Sequence, residues 1–127
     1  MCLYKDRNIL AVDDYEDNLL LLQYIFETLG CKVRTACNGR DGLIEVKQTR
    51  PDLIILDLMM PDMSGIEFMK HLRNDGLSDI SVLLLTANTD VKPEEVKDAN
   101  SICYKPIEID NLTKEAATLL VEQNLLS

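Results

Sequence analysis

Apolar and polar positions follow two distinct patterns along the chain, and each pattern predicts one kind of secondary structure. Five short segments predict β-strands. Four are apolar runs, at residues 8–12, 53–56, 82–85 and 102–104, and one, at residues 32–36, alternates apolar and polar residues. After each segment, apolar side chains recur at the three- and four-residue spacing of an amphipathic helix. That spacing predicts five helices, at residues 14–29, 40–49, 64–74, 94–99 and from 110 to about 124.

The strict alternation of strands and helices, with short connections, is typical of an α/β fold in which helices cover both faces of a parallel sheet. Residues 53–56 and 82–85 are apolar throughout, as in strands buried on both faces, whereas residues 32–36 alternate as an edge strand does. No repeat, linker or low-complexity segment interrupts the pattern. We therefore expect one domain over residues 1–127, with no effector domain.

Composition and charge narrow the possible function classes. The 127 residues include 13 Lys and Arg against 22 Asp and Glu, and the formal net charge is −9. An acidic chain without a basic patch disfavours nucleic acid and anionic membrane surfaces as partners. No apolar run approaches the roughly 18 residues of a membrane span. The cysteines lack zinc-type spacing, and we expect free thiols in a reducing cytoplasm at Cys2, Cys31, Cys37 and Cys103.

Polar residues stand at the ends of four predicted strands. Asp13 and Asp14 follow the first strand, and Asp57 follows the third. Thr86 ends the fourth strand, and Lys105 follows the fifth. In an open parallel sheet, ligands bind at the carboxyl ends of the strands, where the strand order reverses. We therefore expect three carboxylates, a hydroxyl and an ammonium group to meet at one edge of the sheet.

These groups fit phosphoryl chemistry assisted by a hard metal ion. Three clustered carboxylates repel one another unless a cation lies among them. A donor set made of oxygen, without His or Cys, favours Mg²⁺. A carboxylate beside Mg²⁺ can attack a phosphoryl group and form an aspartyl phosphate, while a Lys and a Thr hydroxyl bind the phosphoryl oxygens.

Four segments, in this order and at this spacing, carry a family resemblance. They are residues 9–14 (ILAVDD), 57–65 (DLMMPDMSG), 85–87 (LTA) and 105–106 (KP). The chain resembles the receiver domain of two-component response regulators over essentially its whole length. The resemblance implies a flavodoxin-like, doubly wound sheet of five parallel strands in the order 2-1-3-4-5.

The resemblance also implies a role for each matching residue of the site. Asp57 would be the phosphoacceptor, which receives a phosphoryl group from a histidine kinase or a histidine phosphotransfer protein. Asp14 would bind Mg²⁺ directly, Asp13 mainly through water, and Met59 through its backbone carbonyl. Lys105 would contact the phosphoryl group.

Further implied roles concern switching and phosphate lifetime. Thr86 would move to a phosphoryl oxygen on activation, the small Ala87 would leave the acceptor open, and Pro106 would follow a cis peptide bond. Met59 and Asn88 lie where side chains can position the hydrolytic water. Met binds water poorly and Asn binds it well, which predicts slow to moderate self-dephosphorylation.

The chain departs from the family pattern at two positions. Three residues before the lysine, many receivers have an aromatic ring that rotates inward with the threonine, and here the residue is Ile102. We expect the nearby Tyr104 to face the other side of the strand, which would make the coupling from Thr86 to the surface weaker or packed differently. Asp98 stands where many receivers have Gly, and we expect it to tolerate a left-handed backbone.

The resemblance implies a signalling protein rather than an enzyme, with only self-catalysed phosphoryl transfer to Asp57 and its hydrolysis. Its output would be contact with a downstream target protein, through the surface of the predicted fourth helix, fifth strand and fifth helix. The same surface would allow a monomer or a weak homodimer. Residues 13–18 are similar to receivers of hybrid kinases and relays, which favours a phosphorelay.

Three other functions stay open. A receiver-like binding module that is not phosphorylated typically lacks an acid, the Thr or the Lys of the site, and this chain retains all of them. A Mg²⁺-dependent phosphatase with an aspartyl nucleophile would carry a second Asp where Met59 stands. A flavin-binding protein of the same architecture would carry a Gly-rich or Ser/Thr-rich phosphate loop after the first strand, which this sequence lacks.

Overall fold

A computed structural model describes the backbone of residues 3–126 and the side chains of residues 3–122. Cys2, expected above to be a free thiol, lies outside the described residues. The strands are β1 (Asn8–Val12), β2 (Lys32–Ala36), β3 (Leu53–Asp57), β4 (Ser81–Thr86) and β5 (Ser101–Tyr104). The helices are α1 (Glu16–Thr28), α2 (Gly39–Gln48), α3 (Gly65–Asn74) and α4 (Ile109–Leu126).

The five strands form one parallel sheet in the order β2-β1-β3-β4-β5, which confirms the predicted fold class. The strand predicted to alternate, β2, lies at one edge of the sheet, and β5 lies at the other. The three inner strands have side chains that are buried along almost their whole length. Their continuous apolar sequences follow from this position, because helices cover both faces of the sheet.

Two hydrophobic layers pack on the two faces of the sheet. Helices α1 and α4 cover one face, where Phe26 and Ala116 are fully buried. Helices α2 and α3 cover the other face, where Phe68 is fully buried. Gly30 lies in the turn from α1 to β2 with a φ of 102°, which glycine adopts at little steric cost because it has no Cβ atom.

The prediction of a helix at residues 94–99 was wrong, and the chain forms a single 3₁₀ turn at Pro93–Val96 instead. Pro93 begins the turn, but Val96 is its only buried residue, so no apolar stripe is available to stabilise a longer helix. The described fold therefore has four α-helices rather than five. Asp98 does not adopt a left-handed backbone, since Asp6 is the only non-glycine residue with positive φ among residues 3–126. The Asp98 carboxylate contacts the Arg73 guanidinium at 2.6 Å.

No helix within residues 3–126 has both the length and the hydropathy that crossing a bilayer would require.

Candidate functional site

Four strands deliver the polar residues of the site to one edge of the sheet. Asp13 follows β1, Asp57 is the last residue of β3, Thr86 is the last residue of β4, and Lys105 follows β5. Because parallel strands end on the same side, residues that are far apart in sequence become neighbours there. The structure brings these residues together as the sequence analysis expected.

Three carboxylates form a compact cluster. One carboxylate oxygen from each of Asp13, Asp14 and Asp57 lies within 4.8 Å of the others. Asp13 and Asp57 are buried, with 1% and 4% of their surface exposed, whereas Asp14 is exposed at the mouth of the cluster. Two acids are thus withdrawn from water while the third remains in contact with it.

Lys105 links the two buried acids. Its Nζ lies 3.3 Å from Asp13 Oδ2 and 3.3 Å from Asp57 Oδ1. One ammonium group is therefore shared between two carboxylates, which leaves net negative charge inside the site. The Lys105–Pro106 peptide bond is cis, as the family resemblance implied.

Asp13 is held in place by the start of α1. Its Oδ1 accepts a hydrogen bond from the Tyr15 backbone N–H at 2.9 Å, and its Oδ2 accepts one from Asn18 Nδ2 at 3.1 Å. Asn18 was not among the predicted site residues. Its place in the first turn of the predicted helix, five residues after the acid, was the available signal.

The loop after β3 fixes Asp57. Its Oδ1 also accepts a long hydrogen bond, 3.4 Å, from the Met59 backbone N–H, while the Met59 side chain is 62% exposed. Gly65, the first residue of α3, packs directly on this loop. A Cβ atom at Gly65 would lie 2.8 Å from the Asp57 carbonyl oxygen, so glycine is required there.

Burial and charge act together on the Asp57 carboxyl group. Burial, followed by the repulsion of Asp13, raises its pKa from 3.8 to about 6. Lys105 and the Met59 N–H act in the opposite direction and only partly compensate. The ionised form of Asp57 is therefore disfavoured unless more positive charge enters the site.

Thr86 lies at the same edge, and its described hydrogen bonds go to residues other than Asp57. Its Oγ1 accepts a hydrogen bond from the Asn88 N–H at 3.0 Å, and its carbonyl accepts one from the Lys105 N–H at 2.8 Å. The Asn88 side-chain oxygen accepts from the Asp90 N–H at 2.9 Å, so this amide stabilises the loop. Ala87 is exposed, which leaves the region beside Thr86 open.

The expectation that Tyr104 faces away from Ile102 was wrong. Residues two apart in a strand share a face, and Cys103 between them packs into the layer of α1 and α4. Ile102 is partly buried against the layer of α2 and α3. Tyr104 is 51% exposed on that same face, and it is the register partner of Thr86 on the neighbouring strand.

The donor set fits a hard divalent cation. Within the part of the chain that the structure describes, the only group of clustered acidic, His or Cys ligands consists of Asp13, Asp14 and Asp57. All three offer oxygen, and the exposure of Asp14 leaves the mouth open to water and to phosphate oxygens. Mg²⁺ prefers such a site, with one or two carboxylates and several waters.

Comparisons with known proteins agree with this geometry. A family model for the response regulator receiver domain matches residues 9–117. The chain is 44% identical over 82 residues to the alkaline phosphatase synthesis transcriptional regulatory protein PhoP of Bacillus subtilis (strain 168), which covers 65% of this chain and 34% of that protein. It is 33% identical over 110 residues to sporulation initiation phosphotransferase F of the same organism, which covers 84% of this chain and 88% of that protein.

Solved structures show the same relationship. The structure of the chemotaxis protein CheY4 of Vibrio cholerae matches with a TM-score of 0.82 at 29% identity, and the match covers 90% of this chain and 98% of that one. The chain spans about a third of the length of PhoP and most of the length of phosphotransferase F.

Proposed function

The chain belongs to the response regulator receiver domain family, and we propose that it is a signalling protein that accepts a phosphoryl group on Asp57. The observation that carries the proposal is the cluster of three carboxylates within 4.8 Å, two of which share Lys105 at 3.3 Å. A phosphoacceptor site requires a carboxylate nucleophile, a cation for the phosphoryl oxygens and a site for a metal ion. The described residues supply the first two and the ligands for the third.

The transfer step uses the ionised form of Asp57. A carboxylate oxygen attacks phosphorus while the bond from phosphorus to the partner's histidine nitrogen breaks, and that nitrogen keeps the electron pair. The pKa of about 6 leaves Asp57 mostly ionised at pH 7.5, even before a cation enters. Lys105 lies beside Asp57 Oδ1, where its ammonium group can bind an incoming phosphoryl oxygen.

Asp13, Asp14, Asp57 and the backbone carbonyl of Met59 would hold Mg²⁺ in this proposal. When bound, Mg²⁺ supplies the positive charge that offsets both the carboxylates and the phosphoryl oxygens. The Tyr15 backbone N–H and the Asn18 side chain hold Asp13 in place, because each donates a hydrogen bond to one of its two carboxylate oxygens. We expect Asn18→Ala to weaken Mg²⁺ binding without removing a ligand.

Switching would begin at Thr86, which would leave the Asn88 N–H and donate its hydroxyl to a phosphoryl oxygen. Ile102, at the position that is often aromatic, is partly buried and has no ring that could rotate inward. Tyr104 is exposed next to Thr86 on the adjacent strand. We therefore assign to Tyr104 the coupling between Thr86 and the outer surface, with Ala87 leaving space for the movement.

Met59 would limit hydrolysis of the aspartyl phosphate. Its side chain projects into solvent beside Asp57 and offers no good hydrogen bond to water. We expect Met59→Asn to change the decay rate of the phosphorylated protein, measured from intact mass over time. Lys70→Asn, on the exposed surface of α3, is the control, and equal half-lives of the Met59 variant and the parent would contradict this role.

The proposed partners are a histidine kinase or histidine phosphotransfer protein and a downstream target protein, in a two-component system or phosphorelay. Nucleic acid and membrane are not proposed as partners of this segment, given its net charge of −9. A monomer or a weak homodimer would present the surface formed by the 3₁₀ turn, β5 and α4. A cytoplasmic location fits the free thiols of Cys37 and Cys103.

The test is the intact mass of the protein after incubation with acetyl phosphate, with and without Mg²⁺. We expect one added phosphoryl group that requires Mg²⁺ and is absent from Asp57→Asn. Asp62→Asn is the matched control, because Asp62 is an exposed acid in the same loop and lies outside the cluster.

Two results would overturn the proposal. A phosphoryl adduct that persists in Asp57→Asn would mean that another residue is the acceptor. No adduct from acetyl phosphate or from a panel of phosphorylated kinases, in a protein that binds Mg²⁺, would favour a receiver-like binding module.

A further inference from the structure

A groove runs along the edge of the sheet at β2. Among its lining residues, only Asp14 takes part in the proposed phosphoryl chemistry. The volume of the groove is about 540 Å³. Leu20 of α1 forms one wall, Ile44 of α2 forms the other, and Thr35 and Cys37 lie on its floor. Leu20 and Ile44 are 59% and 48% exposed, although both are large and apolar. We refer to this feature as the β2-edge groove.

The floor of the β2-edge groove carries unpaired backbone groups. β2 pairs only with β1, and Lys32 and Ala36 make hydrogen bonds on that side, to Arg7 and from Asp13. Alternate residues of a strand direct their N–H and C=O groups to opposite sides. The backbone groups of Thr35 therefore point outward, and no described residue bonds to them.

The Arg34 side chain limits how much of this edge is open. Its guanidinium donates to the Glu45 carbonyl at 2.8 Å and to the Thr49 carbonyl at 2.5 Å. A charged side chain placed along an edge strand protects it from pairing. The open part of the edge is therefore the carboxyl-terminal end of β2, which faces the β2-edge groove.

The rim of the β2-edge groove is acidic. Glu16, Asp41 and Glu45 line it, and of these only Glu45 pairs with a cation, Arg34, in the part of the chain that the structure describes. The whole chain adds a net charge of −9. The acidic rim and the net charge of the chain both favour a positively charged occupant, and both would repel a second copy of the chain.

We propose that the β2-edge groove binds an extended, basic peptide segment of a partner protein, which adds a short strand to β2. Strand addition pairs the outward backbone groups of Thr35, which a docked helix would leave unpaired. Leu20 and Ile44 belong to helices on opposite faces of the sheet, so two successive apolar side chains of the peptide lie one on each. Lys or Arg side chains that flank them face Glu16 and Asp41. The binding requires no phosphorylation, so it stands apart from the function proposed for Asp57.

The test is a selection of displayed random eight-residue peptides on the whole chain. The counter-target is the double variant Leu20→Ser/Ile44→Ser, which removes apolar surface without adding charge, and Tyr24→Ser is the matched control. Tyr24 is 68% exposed on α1 but does not line the β2-edge groove. We expect enriched peptides with two successive apolar residues flanked by Lys or Arg, which bind the double variant at least about tenfold more weakly. Binding to Tyr24→Ser should be unchanged.

A second measurement separates strand addition from any other docking mode. In amide proton spectra of the labelled chain, an enriched peptide should protect the Thr35 amide from exchange. The single variants Leu20→Ser and Ile44→Ser replace the double variant if the latter loses its native spectrum.

Three outcomes would overturn the proposal. They are enrichment of acidic or purely helical peptides, equal binding to the double variant, and an unprotected Thr35 amide in the complex. A dimer that forms through the β2-edge groove in the absence of peptide would assign the groove to a second copy instead.

Discussion

Two ion pairs in this protein show that the contact distance alone does not determine how strongly an ion pair affects stability. The Arg73 guanidinium lies 2.6 Å from Asp98 on the surface, between α3 and the segment after the 3₁₀ turn. Lys105 lies 3.3 Å from Asp57 at the carboxyl edge of the sheet. The longer contact has the larger effect on stability, because the Asp57 side chain is 5% exposed whereas the Asp98 side chain is 35% exposed.

The difference arises from solvent. Around Arg73 and Asp98, water and salt screen the attraction and also solvate each partner when the pair is broken. Asp57 cannot be solvated in this way, and the neighbouring Asp13 adds repulsion that a single Lys105 only partly offsets. A receiver site built like this is poised to bind positive charge. Four experiments test the contrast, from the largest expected effect to the smallest.

Lys105→Met should be the most damaging change in the absence of Mg²⁺. It leaves Asp13 and Asp57 buried without a cation, and we expect a loss of about 3 kcal/mol in the free energy of unfolding at pH 7.5. Urea denaturation measures the loss, and the exposed Lys70→Met is the control. A loss no larger than that of the control would mean that burial does not strengthen the Lys105 contact.

Asp57→Asn should have the opposite sign. The pKa of Asp57 is raised to about 6 in the folded state, so the folded protein binds this proton more tightly than the unfolded chain does. Ionisation of Asp57 therefore opposes folding, fully above about pH 6 and not at all well below pH 3.8.

We expect Asp57→Asn to stabilise the Mg²⁺-free protein by about 2 kcal/mol at pH 7.5. The gain should decline as the pH falls and vanish near pH 3.5, where residue 57 is neutral in both the folded parent protein and the variant. Urea denaturation across this pH range gives the profile. A gain that is independent of pH would assign the effect to packing rather than to charge.

A double-mutant cycle on Arg73→Ala and Asp98→Ala should give a coupling of only about 0.5 kcal/mol, despite the short contact. The coupling should fall further in 0.5 M salt, on the order of the screening expected at the surface. If the cycle instead gives a coupling comparable to the effect of Lys105→Met, exposure does not determine the strength of these pairs.

Asp79→Asn should have the smallest effect. The hydrogen bond from Arg50 lowers the pKa of Asp79, so the contribution of this group to stability is present at neutral pH and is lost on acidification. The side chain is 72% exposed, and we expect no change in the urea midpoint beyond experimental error. A clear destabilisation at pH 7 would show that this surface contact matters.

Much of the site was predictable because it follows from topology. Once the strands are parallel, Asp13, Asp57 and Lys105 must meet at one edge, whatever the details of packing. The partners of Asp13 were not predictable in the same way. Asn18 reaches the carboxylate only because α1 begins close to the end of β1 at a particular angle.

Two sequence-based expectations failed for different physical reasons. Residues 94–99 have helix-forming side chains, but only Val96 found a place in the core, and local propensity alone does not sustain a helix of this length. For Tyr104, the period of two along β5 already places it on the face of Ile102. What only the structure adds is its pairing with Thr86 across the strands.

The sequence by itself determined the order of the elements, the burial of the inner strands and the chemistry of the strand ends, because hydrophobic periodicity and residue type are local properties. Tertiary structure decided the charge balance of the site. Lys105 is 92 positions from Asp13 and 48 positions from Asp57 in the chain, so only the fold brings its ammonium group to both buried acids. Tertiary structure also decided that Thr35 presents unpaired backbone groups between Leu20 and Ile44, since that groove exists only where two helices flank the edge of a sheet.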